Sequence, residues 1–290
     1  MAHHQIVMQN NLKIASPWSQ LALFLGLLGG SLILAGLAII IIPGYHMDRP
    51  MSAGTVKLAQ TVSSIILFGL PSWLYARMTF RDRPLYHLGF RPALKNSFYI
   101  AAIFLLLFSY PLEGWLGMLN RQIALPHWMI QLEQDSDKEV ENLLQVKNSI
   151  DLFINLLVVA IIPAIFEEIC FRGALQRIMI HIFKNPWAGI IVTGILFSAF
   201  HMQFQGFLPR MFLGILLGAA YWYSGSLWTS ILAHAFFNGI QVVFVSMSPK
   251  SINENPSVPL YMVAISLAIV VSLLVYMRRW SLAAAASQNN

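Results

Sequence analysis

LFINLLVVAIIPAIFEEICFRG, residues 152–173, decides how the whole chain is read. Its first fourteen residues carry no charge, and then Glu167, Glu168 and Arg172 fall within six positions. A helix of about 20 apolar residues matches the roughly 30 Å hydrocarbon core of a bilayer. An ionisable side chain inside such a helix costs roughly 2.5–3.5 kcal/mol on insertion scales. Two carboxylates and a guanidinium at this place therefore need a reason.

The composition agrees with a membrane setting. The chain has 290 residues, 57% of them hydrophobic and 10% charged, and a mean hydropathy of +0.65, whereas soluble domains carry about 25% charged residues. The expected fold class is all-α: a polytopic transmembrane helical bundle of about eight spans with an intramembrane catalytic cavity. The apolar runs fall near 20–42, 56–76, 97–118, 152–176, 187–205, 208–224, 227–247 and 259–277. The first run is preceded by a polar stretch with no A-x-A-like cleavage site after it, and reads as a retained helix rather than a signal peptide. Cys170 is the only cysteine, so no intrachain disulfide and no CxxC site can form.

The net charge of +6 bears on topology and anionic lipid rather than on nucleic acid, for which no motif is present. The loop holding Arg77, Arg81, Arg83, Arg91 and Lys95 should be cytoplasmic. Counting from it places both termini inside and the 119–150 segment, with Glu133, Asp135, Asp137, Glu139 and Glu141, outside. Arg177 and Lys184, then Arg278 and Arg279, fall on the inner side in the same count. Residues 135–153 read as an amphipathic, solvated or interfacial helix leading into the fourth span. The expected location is a bacterial inner membrane, multi-pass, with membrane lipid as a partner.

Three polar-bearing helices stand out in the second half. Glu168 and Arg172 are four apart and share a helix face, so they can pair, while Glu167 is turned about 100° away and is left free. FSAFH ends at His201, and HAFFN carries His234 and Asn238, again four apart on one face. A Glu, two His and an Asn on three helices can converge on one pocket. A carboxylate beside an imidazole can hold and deprotonate water, and a second imidazole and a carboxamide can donate to a developing oxyanion. The same residues, Glu167, His201 and His234, would also make a zinc shell with an open position. Cys170 lies inside the Glu motif, read as facing a different side of the helix from Glu167, and is not expected to be a nucleophile.

EEICFRG, FSAFH and HAFFN resemble the EExxxR, FxxxH and HxxxN/D motifs of the CAAX prenyl protease 2 family, also called the Rce1, Abi or CPBP intramembrane proteases. The resemblance covers roughly residues 150–245. It implies a helical bundle with a conical cavity open to the membrane and the cytosolic side. It implies that Glu167 and His201 hold the attacking water, that His234 and Asn238 form the oxyanion hole, and that Glu168 and Arg172 support the site. It also implies a metal-free glutamate mechanism with no cofactor, zinc being the alternative. The substrate would be a protein or peptide entering from the membrane or the cytosolic side. Eukaryotic members trim prenylated C-termini, and bacterial relatives are linked to bacteriocin self-immunity, resistance and regulated proteolysis.

The expected organisation is N-terminal helices and an outer amphipathic segment over 1–149, a catalytic core over 150–246, and a last helix with a cytoplasmic tail over 247–290. Two rivals carry different expectations. A non-proteolytic immunity or binding protein of the same fold would not need all four site residues. A proton-coupled carrier would be expected to show internal repeats and broken helix pairs, and neither is evident.

Overall fold

The computed structural model describes residues 11–45, 51–144, 146, 148–248 and 257–287. They form ten helices, with no strand beyond a single bridge between Leu12 and Phe80. In chain order these are α1 (Pro17–Ile40), α2 (Ala53–Thr79), α3 (Pro84–Leu88), α4 (Ser97–Asn120, offset near Phe108) and α5 (His127–Leu144). There follow α6 (Ser149–Phe183), α7 (Pro186–Phe200), α8 (Phe207–Ser224), α9 (Leu227–Met247) and α10 (Leu260–Ser287).

Six of them, α1, α2, α4, α6, α9 and α10, are long and apolar enough to cross a membrane. The expected eight is corrected at the fifth and sixth apolar runs. α7 has only 15 residues, about 22 Å of helix, against a core of roughly 30 Å. α8 has 18 residues, but Pro209, Arg210 and the closing YWYS lower its hydropathy. The pair forms a hairpin that starts and finishes at the same end of the bundle, so the correction leaves the parity of the other spans unchanged.

The two ends of the bundle differ in charge. At one end the segment before α1 pairs with the end of α2 (Lys13 N to Thr79 O, 2.7 Å; Arg81 N to Asn11 O, 2.9 Å). The Arg177 guanidinium lies over Phe80, and the Lys95 ammonium sits 3.3 Å from the Trp280 ring centroid. Arg91 donates to Gly225 O at 2.7 Å. The basic residues of the 77–95 loop, the α6–α7 turn and the end of α10 are thus gathered at one face. At the other end Asn120 bridges the α7–α8 turn, donating to Phe204 O and accepting from Leu208 N, both at 2.7 Å.

α5 ends at Leu144 rather than running into the fourth span. Asn148 begins α6 afresh, its side chain accepting from the amides of Ile150 and Asp151. α5 is also less solvated than its sequence implies. Glu133 is buried, and both its carboxylate oxygens accept from Gln205 N at 3.1 Å. The side chains of Asp135, Asp137, Glu139 and Glu141 lie outside the described residues.

Glycines bring α7 and α8 together, as small residues do between membrane helices. A Cβ on Gly194 would stand 2.8 Å from Ile215 Cγ1 and 3.1 Å from Met211 O, and one on Gly214 would stand 3.1 Å from Gly194 Cα. α6 carries π-helical stretches at Leu156–Ile161 and Ile169–Gln176. The first absorbs Pro163, whose ring nitrogen cannot supply a helical hydrogen bond. The second contains Arg172, and such widened turns are frequent at functional sites.

Candidate active site

The EE pair divides its work by helical angle. Glu168 is fully buried, and its Oε1 accepts from Arg172 Nη1 at 2.5 Å and lies 3.0 Å from His234 Nδ1. Arg172, also fully buried, donates through Nη2 to Gly214 O at 3.0 Å, and its guanidinium lies 4.6 Å from the Phe197 ring centroid. One residue earlier in α6, Glu167 points elsewhere. Its Oε2 lies 3.9 Å from His234 Nε2 and 4.0 Å from His201 Nε2.

Phe197 explains why a phenylalanine stands four residues before His201. Its ring meets the guanidinium on one side and packs edge-on to both imidazoles, 4.9 Å from His201 and 5.9 Å from His234. Its carbonyl oxygen lies 2.8 Å from His201 Nδ1.

These contacts fix the roles of the ring nitrogens. A carbonyl oxygen can only accept, so His201 Nδ1 carries a hydrogen, and in the neutral ring Nε2 presents a lone pair to Glu167. Glu168 Oε1 already accepts from Arg172, so His234 Nδ1 also donates. His234 can therefore donate through Nε2 only as the doubly protonated imidazolium, whose charge Glu168 is placed to balance.

All four sequence candidates, Glu167, His201, His234 and Asn238, line one cavity of about 360 Å³. Glu168 and Arg172 lie behind its wall. Four polar residues that sequence reasoning passed over line it as well: Gln60, Glu113, Arg210 and Gln241. Arg210 is braced by Gln203, through Nη1 to its backbone oxygen at 3.2 Å and through Nη2 to its Oε1 at 2.6 Å. Among the described residues no carboxylate oxygen lies within 4.0 Å of that guanidinium. Glu113 is buried and accepts a short hydrogen bond from Ser109 Oγ. Both had a signal available: each is a charge inside an apolar run, the same feature that marked Glu167.

A zinc ion fits this arrangement poorly. With ligands about 2.0–2.1 Å from the metal, donors 3.9–4.0 Å apart would subtend about 135–180° at the ion, far from about 109° in a tetrahedral site. Among the described residues no group of three or more His, Cys, Asp or Glu side chains is arranged to hold a metal. A water about 2.8 Å from both atoms of either pair would subtend about 90°, within hydrogen-bonding range.

Residues 149–240 match the family model of type II CAAX prenyl endopeptidases, Rce1-like. The chain is also 30% identical over 125 residues to an uncharacterized 24.3 kDa protein of Escherichia coli, a match covering 40% of this chain and 52% of that protein. The chain thus spans about half the length of that relative. No solved structure matches it. Over residues 149–240 this multi-pass membrane protein is similar to the Rce1-like type II CAAX prenyl endopeptidases.

Proposed function

We propose that the protein is an intramembrane endopeptidase that cleaves a peptide bond with water activated by Glu167. One observation carries the reading. A carboxylate oxygen stands 3.9–4.0 Å from two imidazole Nε2 atoms, at a cavity wall that also presents Asn238. A water there has two acceptors for its two hydrogens, Glu167 Oε2 and His201 Nε2. Glu167 takes one proton as the water oxygen bonds to the substrate carbonyl carbon and the C=O pair shifts onto oxygen. The Asn238 amide and the Nε2–H of protonated His234 then donate to that oxyanion. Collapse of the intermediate breaks the C–N bond, and the departing amine takes the proton from Glu167.

Glu168 and Arg172 position His234 rather than touch substrate. The zinc-dependent version of this chemistry finds less support, because the donor separations are too wide for a tetrahedral shell. A bacterial inner membrane with both termini inside remains the proposed setting, on the charge of the 77–95 loop and the end of α10. The test is a comparison of polypeptide termini in membranes from cells carrying the wild type and cells carrying Glu167→Ala. New termini found only with the wild type are expected; identical sets of termini would contradict the reading.

A further inference from the structure

The family resemblance suggests a cavity open toward the cytosol, but the position of the cavity along each helix indicates the other side. In α8 the lining residues are Pro209, Arg210 and Leu213, all in the first half of Phe207–Ser224, which begins opposite the basic end. In α6 they are Val159, Pro163 and Glu167, the first two in the first half of the helix and the last at its middle. Gln60 is seven residues, about 10 Å, from the start of α2, and Gln241 is six residues, about 9 Å, from the end of α9. Both are exposed while lining the cavity, so they form its rim. Leu143 of α5 lies over the same end.

The basic end is sealed. Leu88 and Leu227 are fully buried there, and Tyr221, Leu227 and Ile231 pack with Phe90, Ile165 and Ile169 beneath the catalytic groups. Hydrogen bonds close the seam: Tyr221 Oη to Leu88 O at 3.0 Å, Leu227 N to Gly89 O at 2.8 Å, and Ser226 Oγ to Arg91 O at 2.5 Å. No residue of this plug lines the cavity.

We infer that the catalytic cavity is entered from the outer face of the membrane, and that its substrate is a polypeptide segment presented there, such as the juxtamembrane stretch of an exported or membrane-anchored chain. Excess Lys and Arg mark the cytoplasmic face; the sealed end carries that excess and the open end does not. Cytosolic prenylated C-termini are then outside its reach. The inference takes the chemistry from the endopeptidase reading, but the direction of the cavity does not depend on it.

The single cysteine makes a direct test available. In a Cys170→Ala background, Gln60→Cys and Gln241→Cys report on the rim, Tyr86→Cys on the basic end, and Gln122→Cys on the exposed α4–α5 connection. A membrane-impermeant charged maleimide is added to intact cells with the outer barrier opened, and separately to inverted membrane vesicles. Labelling of both rim cysteines and of Gln122→Cys in cells, with Tyr86→Cys labelled only in vesicles, is the expected result. Rim cysteines labelled only in vesicles would overturn the inference. So would rim cysteines silent in cells where Gln122→Cys reacts, because the cavity would then not reach that face. Labelling needs no catalysis, so failure here is distinguishable from failure to find cleaved termini. If labelling and cleavage both succeed, the cut bonds should lie on the outer side of their substrates.

Discussion

His234 is held by Glu168 and faces Glu167: its Nδ1 lies 3.0 Å from Glu168 Oε1, and its Nε2 lies 3.9 Å from Glu167 Oε2. The second glutamate thus contacts both that imidazole and a guanidinium that has no access to solvent, and on the proposed mechanism it positions His234. Removing one member of a buried ion pair costs about 3–5 kcal/mol, because the other is left uncompensated. Glu168→Ala should therefore lower the melting temperature of the purified protein markedly. Glu168→Gln keeps the shape, should melt closer to the wild type than Glu168→Ala, and should still cleave about 10–100-fold more slowly, since a neutral amide holds His234 Nδ1 and Arg172 by weaker hydrogen bonds than a carboxylate. Thermal unfolding in detergent, set beside a cleavage assay, separates the two effects.

The contact between α7 and α8 should matter to the site as well as to the fold. A methyl group on Gly194 would press on Ile215 and on the Met211 carbonyl. Overpacking of this kind typically costs about 1–3 kcal/mol. Gly194→Ala should lower the melting temperature and also slow cleavage, because α7 carries Phe197 and His201 and α8 carries the Gly214 carbonyl that receives Arg172. Unchanged melting would show that the helix pair yields without strain.

Arg210, like Glu113, is an ionisable residue of the cavity that no motif marks. Arg210→Gln removes the guanidinium from the cavity wall and should slow cleavage by about 10–100-fold, and Arg210→Lys should recover much of it. Activity equal to the wild type in Arg210→Gln would limit the residue to bracing the turn through Gln203.

Much of the site was legible because helical spacing is rigid. Glu168 and Arg172, and His234 and Asn238, sit four apart, so each pair must share a face whatever the tertiary structure. Convergence of three helices was legible only as a cost argument: a polar group in an apolar helix needs company. The same argument applied to Glu113 and Arg210, but Arg210 has no polar neighbour one turn away, and Glu113 has the Ser109 hydroxyl, a group common enough in membrane helices to draw no notice. The span count failed where hydropathy is least informative. α8 is apolar largely because it is buried in protein, and a buried helix need not cross a bilayer; α7 keeps Trp187, Ile191, Ile195 and Leu196 exposed and is apolar on its outer side too, but its 15 residues are too few to span. α5 looked solvated by composition, yet its Glu133 caps the α7–α8 turn, a contact 72 residues away in sequence that no local pattern encodes.

The most direct test of the water-activation account is cleavage of a reporter substrate by the purified protein in detergent, comparing wild type, Glu167→Gln and Asn238→Ala, each with and without a metal chelator. Loss of a general base costs about 10²–10⁴ in rate, and loss of one oxyanion donor about 10²–10³. The account predicts no detectable cleavage by Glu167→Gln, residual cleavage by Asn238→Ala because His234 still donates, and no effect of chelator on the wild type. Full activity in Glu167→Gln, or reversible silencing of the wild type by chelator, would contradict it.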